Sequence, residues 1–126
     1  MAVARRSFLG GGLALAVLGK AAVAAPEASA MYGMIGKMKA KPGQRAALAA
    51  ILGEGTGTMP GCRNYIVAED LADADALWIT EIWDSKAAHD ASLALPQVKD
   101  AIRRGRPLIA GFDLAAELRP LSGAGR

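Results

Sequence analysis

The sequence predicts an α+β fold in which helices cover one face of a single antiparallel sheet. Three observations predict this class. Four segments have the alternating pattern or the β-branched and aromatic content of strands, two stretches are rich in helix-forming residues, and the segments follow the order β-α-β-β-α-β. This is the ferredoxin-like, split-βαβ order. The chain has 126 residues, which is enough for one such domain.

A strand and a helix are expected to open the domain. Between residues 32 and 40, methionine, glycine and alanine fill one parity and lysines fill most of the other, which is typical of a strand with one wet face. Lys41-Pro42-Gly43 ends the strand, because proline and glycine favour a turn. Residues 44–52 are rich in alanine and leucine and predict the first helix.

Two strands joined by a short turn follow. Residues 62–69 contain Tyr65 between other strand-forming residues, and residues 76–83 contain two tryptophans between β-branched residues. Residues 70–75 include three aspartates and read as a turn. The two strands are therefore expected to form a hairpin.

The last part of the domain is expected to contain a broken helix and a final strand. Asp84 or Ser85 can cap the helix, and Pro96 suits the first turn of its second part. Gly111 then separates the helix from the strand. The predicted segments are helices over 86–95 and 96–109, a strand over 112–118 and a loose tail over 120–126.

The first 30 residues resemble a twin-arginine export signal. Arg5 and Arg6 precede Ser-Phe-Leu, and the apolar stretch over 8–19 is too short to span a membrane. Small residues at 22–24 and 28–30 suit a cleavage site. The sequence thus predicts a signal peptide over 1–30, a domain over 31–119 and a periplasmic or secreted location. The alternative is an uncleaved amphipathic arm or anchor.

Charge and cysteine content exclude several classes of protein. The net charge of +3 includes three basic residues and one acidic residue of the leader, so the remainder carries +1 and gives no reason to expect nucleic-acid binding. The chain has one cysteine, Cys62, and one histidine, His89, which is too few for an internal disulfide or a structural zinc site. Cys62 is expected either to be buried or to pair with a second chain, and burial is favoured because a free cysteine is usually buried. Neither a metal nor a cofactor is predicted.

One run of residues resembles a known family. It reads Glu81-x-Trp-Asp-Ser-Lys, continues with His89-Asp-Ala-Ser-Leu, and is followed by Pro96 and by Arg106-Pro-Leu-Ile. The turn that begins at Met59 with Met-Pro-Gly-Cys also matches. These residues resemble the antibiotic biosynthesis monooxygenase (ABM) domain, in its quinol monooxygenase branch, over essentially all of the chain after the leader.

The resemblance implies a dimeric α/β-barrel with a pocket in each subunit between the sheet and the helices. Oxygenase members of the family oxidise phenols or dihydroxyaromatics without metal or flavin. Haem-degrading relatives have an asparagine on the first strand and a later helical histidine, whereas this chain has Gly36 and no histidine after Pro96. Many members carry a histidine where this chain has Ser92, so either His89 replaces it or this branch has a site of its own. The expected function is a cofactor-independent monooxygenase that oxidises a hydroquinone or related aromatic with molecular oxygen.

Several side chains could carry that chemistry. His89 is the candidate catalytic base, because imidazole exchanges a proton near neutral pH; the alternative is a surface or capping histidine. Trp83 and Tyr65 are candidates for an aromatic wall, and ordinary packing is the alternative for both. Asn64 could donate a hydrogen bond to a substrate oxygen, or could belong to the turn. Trp78 should face away from Trp83, because the two are five positions apart on one strand.

The remaining candidates are one methionine and two charged residues. Met34 shares a strand face with Met38 and could line an adaptable apolar pocket or fill the core. Glu81 lies in an apolar strand, where an unpaired charge is costly. It is expected either to pair with an arginine such as Arg106 or to belong to the site.

The outward parity of the strands includes apolar residues, which a second copy of the chain would cover. The sequence therefore predicts a homodimer with its sheets packed face to face. Two other functions stay open. One is a non-catalytic small-ligand-binding or stress-related dimer of the same fold, and the other is haem binding with His89 as a ligand.

Overall fold

A computed structural model describes residues 30–54 and 58–123. The expected signal peptide lies almost wholly outside the described residues, as does the end of the expected tail. The described elements are β1 (Tyr32–Ala40), α1 (Arg45–Glu54), β2 (Cys62–Glu69), β3 (Ala76–Trp83), α2 (Lys86–Ser92), α3 (Pro96–Gly105), a 3-10 turn (Arg106–Leu108) and β4 (Ile109–Leu118). The predicted α+β, ferredoxin-like fold is confirmed, and its second helix is divided into α2 and α3.

The four strands form one antiparallel sheet in the order β2-β3-β1-β4. β1 lies in the middle, so its residues have neighbours on both sides. Met34 is opposite Glu81 on β3 and Glu117 on β4, and Gly36 is opposite Ile79 and Ala115. Because side chains alternate along a strand, these registers decide which residues share a face of the sheet.

The helices cover the face that carries the even-numbered residues of β1. Leu48 of α1 is fully buried against this face, where it packs with Met38, Leu77 and Ile79. Trp83 forms a second cluster, with Tyr32, Met59 and half-buried residues of α2 and α3. This helical face contains the core, and its two clusters leave room between them for the site described below.

The opposite face of the sheet, called here the open face, keeps large apolar side chains in contact with solvent. Ile66, Leu114 and Leu118 are 52%, 51% and 41% exposed. Trp78 lies on this face and Trp83 on the helical one, as predicted, because Trp78 is opposite Lys37 whereas Trp83 is opposite Tyr32. The open face thus retains the exposed apolar surface that the sequence led us to expect.

The predicted helical bounds were wrong near the C-terminus. α3 ends at Gly105, not at residue 109, and β4 begins at Ile109, not at residue 112. Pro107 is the physical reason, since it has no amide hydrogen to continue the helical hydrogen bonds. A 3-10 turn follows, in which Ile109 N–H bonds to the Arg106 carbonyl, and Ile109 then pairs with Ala40.

The helix breaks and caps follow local hydrogen bonds. Ser85 caps α2, since its hydroxyl accepts a hydrogen bond from Ala88 N at 3.1 Å. α2 ends at Ser92, three residues earlier than predicted, and Pro96 takes the first position of α3 as expected. In the described part of the chain, no helix is long and apolar enough to cross a membrane.

Candidate functional site

A small cavity of about 110 Å³ opens on the helical face of the sheet, across β3, β1 and β4. Gly36 and Ala115 are directly opposite each other in the register of β1 and β4. Because glycine has no side chain and alanine has only a methyl group, space is left above the sheet at this point. The residues that line the small cavity are Met34, Ile35, Gly36, Met38, Ile79, Glu81, Phe112 and Ala115.

A large cavity of about 340 Å³ adjoins it, between α1, α3 and the start of β4. The two cavities share Met38 and Phe112 as wall residues. Phe112 is 63% exposed, so the edge of this shared wall is formed by a side chain with little packed against it. The residues that line the large cavity are Met38, Leu48, Leu52, Ala101, Ile102, Gly105, Arg106, Ile109 and Phe112.

Glu81 supplies the ionisable side chain among the described residues that line the small cavity. It is half-buried, and Oε1 accepts a hydrogen bond from Trp83 Nε1 at 2.9 Å. Buried Trp83 thereby fixes the position of the carboxylate. The hydrogen bond also offsets part of the cost of holding a charge beside apolar side chains.

Tyr65 is directly opposite Glu81 in the register of β2 and β3. Burial raises the pKa of Tyr65, and the negative charge of Glu81 raises it further. The phenol of Tyr65 therefore stays protonated in the physiological range and can act only as a neutral group beside the carboxylate.

The structure contradicts the expected pairing of Glu81 with Arg106. Glu81 bonds to Trp83, whereas Arg106 lies at the large cavity in the turn after α3. The physical reason is the earlier end of α3, which places Arg106 at the end of the helix, where it lines a different cavity from Glu81. Glu81 lines the small cavity together with Met34, whereas Arg106 lines the large one.

His89 lies on α2 and lines neither of these two cavities. Its ring centroid is 5.4 Å from that of Tyr32 and 5.5 Å from that of Trp83. Nδ1 is 3.0 Å from an Asp90 carboxylate oxygen, and this hydrogen bond is the main cause of a lowered Asp90 pKa. His89 thus belongs to an aromatic cluster at the other end of the helical face.

The hydroxyl of Tyr32 in this cluster donates a hydrogen bond to Glu117 at 2.7 Å. Burial and this bond raise the pKa of Tyr32 to about 12. Ser92 is the position at which the resemblance led us to expect histidine, and its hydroxyl donates to the His89 carbonyl at 2.6 Å. Ser92 therefore has a structural hydrogen bond within α2.

The other predicted site residues are dispersed. Trp83 is 1% exposed and lies in the core, and Tyr65 packs against both core clusters. Asn64 is opposite Ile82, on the open face, so it does not share a site with Glu81. The expected aromatic wall of Trp83 and Tyr65 lines neither of these cavities.

Phe112 is a wall residue that the sequence pattern does not single out. The pattern predicts only that it begins a strand. Its place in the wall depends on the register shift between Lys37 and Met38, which sets Phe112 opposite Met38. No periodicity in the sequence reveals such a shift.

Cys62 is half-buried rather than buried as expected, and its thiol donates to the Asn64 carbonyl at 3.6 Å. Burial raises the pKa of this thiol. In residues 30–54 and 58–123, no cluster of three or more His, Cys, Asp or Glu side chains could hold a metal ion.

The family model for antibiotic biosynthesis monooxygenase (ABM) matches residues 31–104 of this chain. This range includes β1, Glu81 and most of α3. No curated protein matches the chain at a significant level.

Solved structures have the same fold. The chain is 61% identical to a structure titled "putative Antibiotic biosynthesis monooxygenase" from Chloroflexus aurantiacus, with a TM-score of 0.73 over 74% of this chain and 95% of the other. A Caulobacter crescentus structure with the same description is 17% identical, with a TM-score of 0.67 over 78% and 96% of the two chains. A conserved protein from Methanosarcina mazei is also 17% identical, with a TM-score of 0.63 over 75% and 97%.

The two distant structures show the fold alone. The family model, by contrast, matches more than half of the chain, and the Chloroflexus structure shares most of its residues over the whole domain. The chain therefore belongs to the antibiotic biosynthesis monooxygenase family.

Proposed function

We propose that this protein is a monooxygenase that oxidises a hydroquinone or a related electron-rich aromatic with molecular oxygen, without a cofactor. The observation that carries the proposal is the Glu81 carboxylate at the small cavity. It is held by Trp83 Nε1 and surrounded by apolar side chains, so a phenol that enters this cavity meets one proton acceptor. Family membership and the description of the Chloroflexus structure support the same reaction class.

The reaction needs no outside electron donor if the substrate supplies the electrons. Glu81 takes the phenolic proton, and the electron-rich phenolate then passes one electron to O₂. The two radicals combine to form a peroxide at a ring carbon. Loss of water leaves one oxygen atom on the ring, so a hydroquinone and O₂ give a hydroxyquinone and H₂O.

Glu81 takes the role that the sequence suggested for His89. A catalytic base must reach the proton that it removes, so its position decides between the two residues. Glu81 lines a cavity, whereas His89 is packed between two aromatic rings and bonded to Asp90. His89 as base is the competing assignment, and it predicts a different result in the experiment below.

The test is the rate of oxygen uptake with a panel of hydroquinones and phenols, with and without an acid group. Glu81→Gln keeps an oxygen atom for the Trp83 hydrogen bond but removes the base, so we expect a fall of about 100-fold or more, as is typical for loss of acid–base catalysis. His89→Ala should stay within a few-fold of the unsubstituted protein. The opposite pattern would make His89 the base, and no uptake with any member of the panel would contradict the oxygenase function.

We also propose that two copies pack their open faces together. Ile66, Leu114 and Leu118 are exposed there although they are apolar, and a second copy would remove them from water. The cavities lie on the other face of the sheet, so this contact would leave each subunit with its own site.

Export by the twin-arginine route is a further proposal, supported by Arg5, Arg6 and the apolar stretch after them. In a bacterium that has this route, replacement of both arginines by lysine should leave the full-length protein in the cytoplasm. Unchanged recovery from the periplasm would contradict this proposal. It would not affect the oxygenase proposal.

A further inference from the structure

The large cavity has an apolar interior and one basic side chain among its described lining residues. All of its lining residues except Arg106 are apolar or glycine. Its volume of about 340 Å³ lies at the lower end of the range for small-molecule sites, about 300–1,000 Å³. The chemistry of this cavity therefore depends on what Arg106 can bind.

Arg106 differs from the two arginines that precede it. Arg103 pairs with Asp100, and Arg104 pairs with both Asp100 and Glu54. Within residues 30–54 and 58–123, Arg106 makes no such ion pair. Its guanidinium is thus available to an anion from outside the described chain.

We propose that the large cavity binds a small amphipathic acid, with its apolar body between α1 and α3 and its anionic group on Arg106. An anion inside the cavity would lose its hydration without compensation, so the charge must stay at Arg106. Guanidinium is suited to carboxylate and sulfonate-like groups, because it can donate two parallel hydrogen bonds. The ligand must therefore lie with its acid group at Arg106 and its apolar body inside the cavity.

This orientation also bears on the substrate. The two cavities share Met38 and Phe112, so a ligand anchored at Arg106 places its apolar end beside the Glu81 cavity, and it reaches Glu81 when the exposed Phe112 side chain turns aside. If the oxygenase function proposed above is correct, on which this step rests, the substrate is an aromatic that carries an acid group. A hydroquinone without such a group would then bind weakly.

A purely structural role for Arg106 predicts a different behaviour. The residue directly follows α3, where a positive charge interacts favourably with the helix dipole. In that case its replacement would change the free energy of unfolding and would not distinguish a charged ligand from a neutral one.

Two fluorescent probes of nearly the same shape separate these possibilities. 8-Anilinonaphthalene-1-sulfonate has an aromatic body and one anionic group, and N-phenyl-1-naphthylamine is the same body without the charge. In titrations of the folded protein, Arg106→Gln should weaken binding of the sulfonate by about tenfold, which corresponds to about 1.4 kcal/mol, and should leave the neutral probe unchanged. Arg103→Gln, at the end of the same helix, should change neither affinity.

A second variant locates the probes. Ile102 lines the large cavity and is 41% exposed, so Ile102→Trp can obstruct the cavity without replacing a core residue. It should weaken both probes by about tenfold or more. The proposal is overturned if Arg106→Gln leaves sulfonate binding unchanged, if it weakens both probes equally, or if Ile102→Trp affects neither.

These titrations do not involve turnover. Probe results as expected, with no oxygen uptake from any substrate, would contradict the oxygenase function and leave the acid-binding site standing. Oxygen uptake together with an overturning probe result would reject the acid class and leave the reaction at Glu81 standing.

Discussion

At the scale of single residues, hydrogen bonds from tryptophan side chains hold two carboxylates in place. Glu81 receives its bond from Trp83, and Asp70 receives one from Trp78 Nε1 at 2.8 Å. In each case an indole N–H on β3 positions an acidic side chain. Trp83 does so on the helical face and Trp78 at the open face, so the two tryptophans have matching roles on opposite sides of the sheet.

Asp70 gives a prediction for the pH dependence of stability. The Trp78 hydrogen bond, with help from the Ala72 amide and Lys37, lowers the Asp70 pKa to about 2. A carboxyl whose pKa is lower in the folded state stabilises the fold above its unfolded pKa of ~3.9, and that contribution is lost as pH falls. Asp70→Asn should therefore be less stable than the unsubstituted protein at pH 6, and the difference should disappear between about pH 4 and pH 2.

The measurement is urea unfolding of both proteins across this pH range at one protein concentration. Trp78→Phe serves as the control, because it keeps the carboxylate but removes its main hydrogen-bond donor, so its pH-dependent loss should be smaller. A constant difference between Asp70→Asn and the unsubstituted protein at every pH would contradict this account of Asp70.

At the scale of elements, turns and helix ends decide where the site residues lie. Gly61 has a φ of +84°, and a Cβ built there would lie 2.7 Å from the Ala88 Cβ. The carbonyl of Gly61 also accepts a hydrogen bond from Asp84 N at 2.8 Å. The turn before β2 is thus packed directly against α2, and only a glycine fits there.

Gly43 provides a matched comparison. Its φ is +80°, but nothing lies within 4 Å of a Cβ built on it. Gly43→Ala should cost about 1–2 kcal/mol of unfolding free energy, for the left-handed backbone alone. Gly61→Ala should cost a further ~1–3 kcal/mol for the clash with α2. Equal losses in denaturant titrations would show that Ala88 moves aside without cost.

At the scale of the whole molecule, the open face predicts self-association. Leu114→Glu would place a charge in the middle of this apolar face, so we expect it to convert a dimer into a monomer in sedimentation experiments. Leu71→Glu is the control, because Leu71 is fully exposed in the turn between β2 and β3. A monomeric unsubstituted protein at micromolar concentration, or a dimeric Leu114→Glu variant, would contradict the proposed dimer.

Local patterns predicted most of the fold, whereas the site depends on contacts that no local pattern contains. The bounds of β1, β2 and β3 match the expected segments, because alternation and β-branched content are properties of neighbouring residues. The predicted end of α3 was wrong because Pro107, which has no amide hydrogen, interrupts the helix. The earlier end places Arg106 and Ile109 in the lining of the large cavity.

The identity of the catalytic base also depends on contacts that no local sequence pattern contains. His89 was favoured for the chemistry of its side chain, and nothing in its local sequence indicates that it packs against Tyr32 and Trp83. Glu81 is unusual as a charged residue in an apolar strand, but the sequence does not identify its hydrogen-bond partner. That partner is Trp83, two residues away, for which the sequence suggested a place in an aromatic wall of the substrate site.

The proposed monooxygenase transfers one atom of molecular oxygen to an aromatic ring with electrons from the substrate itself. Mass spectrometry of the product formed under ¹⁸O₂, with no added reductant, measures this transfer. We expect one labelled oxygen atom in each product molecule and the other in water. A product without label, or one that takes its new oxygen from labelled water, would contradict it.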